Sequence, residues 1–483
     1  MMNNSTLFKA FSGIALASVF SLTSCQKEDF MEEQFQTETE QVNPLHGQAI
    51  PGQYIVVFKN GSNKLSATGI SSMNMAGRAA TNALRERMLL AAGVEREALQ
   101  QTFEGTVNGF AARLTNEQLN KLRQNPDVAY IEQDRILALA RPTKDGDTTT
   151  KGGGNKNTDS GTTTKGNGKK TSEPAPTDPI VEEPTPTEPI AEEPAPTEPV
   201  VEEPAPSEPI EEPVIEEPAS SPYNKITALP GETIPWHIAM NGYGDGTGKT
   251  VWVIDSGIDT DHPDLNVDLS RSVSLIYGVS SVEDGYGHGT TVAGIIAAKN
   301  NGTGMIGVAA NATVIALRVF DDTGYGTMSR AISAVNHVIN NGKAGDVVNL
   351  SLGGGISSTL DNAVITAANK GILFAIAAGN SAVDCSVNSP ARVNAPGVYT
   401  VSAMDRYQNF WANSNYGAPV DFIAPGVSVT STRIGGGIGS GGSGTSYASP
   451  HVAGILLLRG EVLSQGIVNG DKDSWPDPIA SVE

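Results

Sequence analysis

Residues 223–483 of this 483-residue chain predict an α/β fold, a mostly parallel sheet with helices on both faces. Apolar runs of strand length alternate there with longer runs of helical character. Strands that are apolar throughout, without polar alternation, are typical of a sheet covered on both sides. An acidic Pro-rich repeat precedes this region, and a shorter stretch of mixed α and β character precedes the repeat. The chain therefore predicts two folded units joined by a spacer.

The elements of the second unit follow from its hydrophobic pattern. Its predicted strands cover 250–254, 313–319, 346–350, 372–377 and 398–403, and its predicted helices cover 289–299, 329–341, 359–370 and 445–461. Folds of this class bind ligands at the carboxyl ends of their strands. We therefore expect the functional residues where strands end and helices begin.

The first unit, residues 51–140, predicts a small α+β domain of ferredoxin-like order. A strand at 54–58 precedes a helix at 79–92, and paired strands follow within 103–114, with a turn near Asn108. Thr115 and Gln118 form a capping-box pattern that opens a second helix, and a last strand covers 128–132. The order β-α-β-β-α-β is that of a ferredoxin-like domain.

The N-terminus predicts export. Lys9 precedes an apolar run at 11–22, which is too short to span a bilayer of about 30 Å as a helix. Residues 1–24 therefore predict a signal peptide. Leu-Thr-Ser-Cys at 22–25 resembles a bacterial lipobox, which implies lipidation of Cys25, followed by a tether at 25–50; an ordinary signal peptide is the alternative. Cys385 has no partner and predicts a quiet, partly buried thiol.

Residues 141–222 predict a disordered linker, a Lys/Gly/Thr tract followed by a ten-residue Pro/Glu repeat. Frequent proline removes backbone donors and favours extended polyproline II structure. The formal net charge of the whole chain is −21, which argues against nucleic acid as a partner. The second folded unit then covers residues 223–483.

Three polar residues stand at predicted element ends in the second unit. Asp255 ends an apolar strand, His288 lies between two glycines at a helix start, and Ser446 opens the late helix. A hydroxyl is a weak nucleophile until a base takes its proton, and imidazole is suited to that role near neutral pH. A carboxylate can hold the imidazole in one tautomer. These residues are therefore candidates for nucleophilic catalysis.

The segments VWVIDSGIDTDHPDL (251–265), GYGHGTTVAG (285–294) and GTSYASPHVAG (444–454) strongly resemble the subtilisin-like serine proteases. The chain order Asp, His, Ser is the order known for that family. The resemblance implies that Asp255, His288 and Ser446 are catalytic and that Asn380 donates to the oxyanion. It also implies a set of substrate-binding residues: Ser351, Leu352, Gly353 and Gly379.

The resemblance extends to residues 51–140, which look like the inhibitory propeptide of these proteases. It implies an autoinhibited precursor, a cleavage between residues 136 and 141, and peptide or protein substrates. It implies no cofactor for the chemistry and leaves room for a structural calcium ion, for which the sequence offers no ligand set. Localisation at the bacterial outer membrane or cell surface follows from the predicted anchor at Cys25, with release after processing as an alternative.

Two other functions are compatible with parts of the pattern. A catalytically silent binding module would be expected to have lost at least one of the four residues Asp255, His288, Asn380 and Ser446. An esterase of the nucleophile-elbow type requires G-x-S-x-G, whereas Ala448 stands where its second glycine would be. Its order of catalytic residues also differs.

Overall fold

The structure is a computed structural model that describes residues 43–59, 75–139 and 223–483. The predicted signal peptide, Cys25 and the linker at 141–222 lie outside the described residues, so these remain predictions. Among the described residues, no helix combines the length and apolar character needed to cross a membrane.

The first unit has the predicted ferredoxin-like order. Its elements are β1 (Ala49–Phe58), α1 (Met75–Ala92), β2 (Leu99–Phe103), β3 (Gly109–Arg113), α2 (Asn116–Arg123) and β4 (Val128–Ala138). The strands form an antiparallel sheet in the order β4-β1-β3-β2. The capping box predicted at Thr115 is present, because its side chain and that of Gln118 each accept from the backbone N–H of the other.

Several boundaries in this unit differ from the prediction: β1 begins at Ala49 rather than residue 54, and α1 begins at Met75 rather than residue 79. The strand before the hairpin is Leu99–Phe103, and a loop rather than a tight turn follows it. Asn108 closes that loop with two hydrogen bonds to the backbone of Gly105. The last strand continues from the predicted end at 132 to Ala138. Its extra length is explained by pairing outside the first unit, described below.

The second unit has five helices and sixteen strands among its described residues. The helices are α3 (Trp236–Asn241), α4 (His288–Ala297), α5 (Met328–Asn341), α6 (Ser358–Ala368) and α7 (Thr445–Arg459). The strands are β5 (Gly244–Asp245), β6 (Thr250–Asp255), β7 (Val273–Ser274), β8 (Ala309–Ala310), β9 (Thr313–Arg318), β10 (Tyr325–Thr327), β11 (Val347–Leu350), β12 (Gly354–Gly355), β13 (Leu373–Ala377), β14 (Asn388–Ser389), β15 (Val398–Met404), β16 (Phe422–Pro425), β17 (Val429–Thr432), β18 (Ile438–Gly442), β19 (Leu463–Ile467) and β20 (Pro478–Ser481).

Nine strands form the central sheet, in the order β19-β20-β16-β15-β13-β11-β6-β9-β7. All neighbours pair in parallel except β19 and β20. Side chains of β6 alternate between two cores: Val251 and Val253 pack with α4 and α7, whereas Trp252 and Ile254 pack with α5 and α6. The predicted α/β fold with helices on both faces is therefore confirmed.

The first unit packs on the α5 and α6 side of the second. Ile55 and Val57 of β1 join the same hydrophobic core as Met328 and Val335 of α5. The opposite face of the small sheet packs on its own helices α1 and α2. The small domain therefore lies against the side of the central sheet opposite α4 and α7.

Candidate active site

Asp255 and His288 meet at the carboxyl edge of the central sheet. Asp255 ends β6 and is 0% exposed, and His288 is the first residue of α4 and is 3% exposed. The Nδ1 atom of His288 lies 2.9 Å from both carboxylate oxygens of Asp255. A carboxylate there holds the proton on Nδ1 and leaves Nε2 to act as a base. The pair therefore has the geometry of a general base and its orienting acid.

The glycines around His288 allow this approach. Gly287 has a φ of +106°, a conformation that other residues rarely adopt. A Cβ at Gly289 would overlap the carbonyl oxygen of Gly257 and would lie 3.2 Å from the Cβ of Asp255. The start of α4 can therefore rest directly on the chain that leaves β6.

Ser446 is the second residue of α7 and is half-buried. Its hydroxyl donates to the carbonyl of Ser351 at 3.3 Å, and its own carbonyl accepts from the Ser351 hydroxyl at 2.7 Å. In a regular helix that carbonyl would accept from the N–H of the residue four positions later, which here is Pro450 and has none. Pro450 thus lies beyond the first turn, and Ser351 replaces the missing donor.

Asn380 follows β13 and is tied to the start of α7. Its side-chain oxygen accepts from the N–H of Thr445 at 2.9 Å and from the Thr445 hydroxyl at 2.8 Å. Because the oxygen is committed to Thr445, the amide NH₂ is the part of this side chain that remains to donate to a ligand. This orientation suits a donor to a developing oxyanion.

Gly379 precedes Asn380, and its position accommodates only glycine. Its φ is +107°, and a Cβ there would overlap the side-chain nitrogen of Asn415. Asn415 donates to the Ala378 carbonyl at 2.9 Å and accepts from the N–H groups of Ser381 and Val383. It therefore fixes the loop that carries Asn380.

Residues of the first unit occupy the cleft beside these groups. One cavity is lined by Leu137 to Leu139 together with Ser446, Asn380 and the predicted substrate-binding residues. The end of β4 pairs antiparallel with β10, with Leu137 opposite Gly326, and the Leu139 N–H donates to the Gly324 carbonyl at 3.0 Å. The tail of the first unit thus lies in the cleft as an added strand.

Comparison with known proteins shows the family to which the chain belongs. The sequence profile of the Subtilase family matches residues 246–465, and that of Peptidase inhibitor I9 matches residues 53–140. Subtilisin Savinase from Lederbergia lenta is 42% identical over 235 residues, which make up 47% of this chain and 84% of Savinase. The chain belongs to the subtilase family. We call residues 223–483 the subtilase domain and residues 51–140 the I9 domain.

Other relatives are matched over a smaller share of their length. An alkaline protease from Alkalihalobacillus alcalophilus is 42% identical over 47% of this chain, and alkaline serine exoprotease A from Vibrio alginolyticus is 31% identical over 85% of it. In both cases the chain spans 60% of the relative's length. A crystal structure of a cold-adapted subtilisin-like serine proteinase is 36% identical, with a TM-score of 0.42 over 49% of this chain and 89% of that one.

The predicted substrate-binding residues line the cleft of the subtilase domain. The part of the I9 tail that the structure describes, which ends at Leu139, forms no backbone hydrogen bond with Ser351, Leu352 or Gly353. The free edge of that tail is instead covered by residues 43–48, which we call the strap. Gly47 donates to the Ile136 carbonyl, and the Ile136 N–H donates to the Gln48 carbonyl, both at 2.9 Å. The pairing predicted for residues 351–353 therefore stays a prediction for substrates.

The strap also contacts the tail and the subtilase domain through side chains. The Nδ1 atom of His46 accepts from the N–H of Ala138 at 3.2 Å. Asn43 donates to the hydroxyl of Tyr325 at 2.8 Å, and Arg135 donates to the Gly47 carbonyl at 2.9 Å. The strap lies outside the matched I9 range. It belongs to residues 25–50, which the sequence predicted as a tether; for residues 43–48 that prediction is wrong, because they pack on the tail.

Two carboxylates of β4 face helix starts of the subtilase domain. Asp134 accepts from the N–H of Ser329 in α5 at 3.0 Å, and Glu132 accepts from the hydroxyl of Ser357, the N-cap of α6, at 2.5 Å. Helix N-termini attract negative charge and supply free N–H groups. These contacts, with the shared hydrophobic core, explain how the I9 domain is oriented on the subtilase domain.

Cys385 is fully buried and unpaired, and burial raises the pKa of its thiol to about 12, so it is not suited to nucleophilic chemistry. No group of three His, Cys, Asp or Glu side chains that could hold a metal is found in the part of the chain that the structure describes. The structural calcium ion that the resemblance allows therefore stays a prediction, and no step of the chemistry is assigned to a metal.

Proposed function

We propose that this chain is the precursor of a serine endopeptidase that hydrolyses peptide bonds of protein or peptide substrates through an acyl-enzyme. One observation carries the proposal. The fold brings the predicted catalytic groups to one edge of the sheet: Asp255 pairs with His288, and the His288 ring lies 5.4 Å from that of Tyr447, the residue after Ser446. Asn380 is anchored on Thr445, the residue before Ser446, and a peptide strand already lies in the cleft beside these groups.

In the first step the Ser446 oxygen attacks the scissile carbonyl carbon while Nε2 of His288 takes the hydroxyl proton. Asp255 holds the imidazole and stabilises the imidazolium that forms. The tetrahedral intermediate collapses, the C–N bond breaks, and His288 passes the proton to the leaving amine. A water molecule then repeats the sequence on the ester, and the proton returns to Ser446.

The negative charge on the carbonyl oxygen needs donors that are already in place. The amide of Asn380 is one, because Thr445 fixes its other end. The N–H of Ser446 is the second, since N–H groups in the first turn of a helix have no helical acceptor. No cofactor enters this chemistry.

Substrates would bind as an extended strand between β10 and residues 351–353. The tail of the I9 domain supports this, because it uses the β10 edge in that way. The described tail is paired and buried up to Leu139, so we place the self-cleavage site at one of the two bonds within residues 139–141. The strap pairs with the edge of the tail that faces away from β10, and it adds to inhibition before and after self-cleavage.

Export and anchoring form a separate part of the proposal. The predicted signal peptide and Cys25 would place the precursor at a bacterial membrane surface by a lipid chain. Cleavage at residues 139–141 would leave the subtilase domain connected to that anchor only through its interface with the I9 domain. Replacing Cys25 by Ala should move the protein from membrane to soluble fractions, and unchanged partitioning would contradict the anchor.

The test of the peptidase is intact-mass and N-terminal analysis of purified wild-type, Ser446→Ala and Ser443→Ala proteins. Ser443 lies three residues before Ser446, between β18 and α7, and accepts from the Ser428 N–H, so it is a matched serine control. We expect the wild type and Ser443→Ala to separate into two chains at residues 139–141 and to cleave a peptide library. Ser446→Ala should remain intact and inactive. Processing of Ser446→Ala at the wild-type rate would refute self-cleavage.

A further inference from the structure

A second buried carboxylate lies next to the catalytic pair, and neither the mechanism above nor the sequence patterns use it. Asp284 stands four residues before His288 and is 5% exposed. Among its described neighbours no lysine or arginine pairs with it. Burial raises the pKa of Asp284, and hydrogen bonds to it act in the opposite direction. A carboxylate in such a place is costly unless its oxygens are fully bonded.

Five donors surround this carboxylate. One oxygen accepts from the Ser256 hydroxyl at 2.8 Å and from the N–H groups of Tyr286 at 3.0 Å and Gly287 at 2.7 Å. The other accepts from the N–H of Thr290 at 2.9 Å and from its hydroxyl at 2.7 Å. Four of these donors belong to residues 286–290, so the carboxylate holds the chain on both sides of His288.

The same network reaches the other catalytic residue. Ser256 directly follows Asp255, and its N–H donates to an Asp255 oxygen at 2.7 Å. Its hydroxyl donates to Asp284 and accepts from the N–H of Gly289 at 2.9 Å. Hydrogen bonds of Asp284 and Ser256 therefore connect the end of β6 to the start of α4.

We infer that Asp284 is a positioning residue: it fixes His288 relative to Asp255, and it does so through Ser256 and the backbone of residues 286–290. It touches neither the substrate nor the reacting atoms. The inference rests on the proposed peptidase function. A misplacement of about 1 Å in a catalytic group can cost on the order of 100-fold in rate, so the loss of this link should lower kcat strongly.

The experiment compares processed wild-type enzyme with Asp284→Asn, Ser256→Ala and the control Asp477→Asn. Asp477 is a similarly buried carboxylate that accepts from the Ser402 hydroxyl at 2.5 Å and does not contact the catalytic pair. If Asp284→Asn does not mature by itself, cleavage is supplied by catalytic amounts of wild-type enzyme. Peptide hydrolysis gives kcat and KM separately, and proton NMR reports the downfield signal of the His288 Nδ1–H.

We expect Asp284→Asn to lower kcat about 10- to 100-fold with KM within about twofold, and Ser256→Ala to have a smaller effect of the same kind. The Nδ1–H signal should shift or broaden in both variants and stay unchanged in Asp477→Asn. That control should lower only the stability of the folded state. Wild-type kcat and an unshifted signal in Asp284→Asn would overturn the inference. An inactive wild-type enzyme would instead overturn the proposed function.

Discussion

Leu137 anchors the tail of the I9 domain in the cleft. Removal of the Leu137 side chain should weaken inhibition by a predictable amount. The Leu137 side chain is 0% exposed and packs in the core that contains Met328 and Leu352. A methyl group placed on Gly354 would lie 2.9 Å from its Cδ2 atom, so the side chain fills its pocket closely. Leu137→Ala therefore removes a well-packed contact between the two domains.

Leu137→Ala should cost roughly 2 kcal/mol of binding free energy, which is at the lower end of the range for replacing a buried leucine by alanine. A difference of 1.4 kcal/mol is tenfold in affinity, so we expect the cleaved I9 domain to bind about 30-fold more weakly. The assay dilutes self-cleaved protein and measures the concentration at which peptidase activity is half released. Leu90→Ala is the matched control, because Leu90 is 84% exposed on α1 of the same domain.

A double-mutant cycle tests the geometry of this contact. Gly354 does not have a positive φ, so alanine is compatible with its backbone. Gly354→Ala should weaken inhibition when Leu137 is present and have little effect in the Leu137→Ala background, where the new methyl group has space. The reasoning is refuted if Leu137→Ala behaves like Leu90→Ala, or if the two changes at the contact are simply additive.

Three further changes have expected outcomes. Asn380→Ala should lower kcat about 100- to 1,000-fold with little change in KM, the loss known for the equivalent asparagine of subtilisin; an effect on KM alone would contradict the oxyanion role. His46→Ala should speed release of activity from the self-cleaved chain severalfold because the Ala138 N–H loses its acceptor, whereas His46→Asn, which can still accept, should not; equal rates would remove the strap from inhibition. Burial lowers the pKa of His237 to about 4, so below pH 6.5 the unfolded chain binds more protons than the folded one, and the melting temperature should fall as the pH drops from about 6.5 to 4. His237→Asn should make that fall in melting temperature smaller, and an unchanged slope would contradict the assignment.

The sequence predicted the fold well because the central strands are apolar throughout and their helices have clear boundaries. The predicted helix at 445–461 is observed as Thr445–Arg459. Four strands of the central sheet, β7, β16, β19 and β20, were not predicted. Among the predicted elements the end of β4 differs most, since the strand pattern at 128–132 stops before the added pairing with β10 begins. A local pattern cannot report a partner strand that lies almost 200 residues later.

The structure places Asp255, His288, Asn380 and Ser446 at one sheet edge, as their positions at element ends predicted. It also shows supporting residues that the sequence did not reveal. Asn415 lies in an ordinary loop stretch, and Asp284 resembles any surface carboxylate in sequence. Their roles depend on contacts between segments far apart in the chain, and polar residues in loops carry no periodic signal.

The central claim is that Ser446 is a nucleophile activated by the paired His288 and Asp255. The most direct measurement treats the processed enzyme with a phosphonylating reagent and locates the adduct by peptide mass spectrometry while peptidase activity is followed. We predict one adduct per chain, on Ser446, formed in step with the loss of activity. Full activity in protein completely modified at Ser446, or inactivation with the adduct on another residue, would contradict the account.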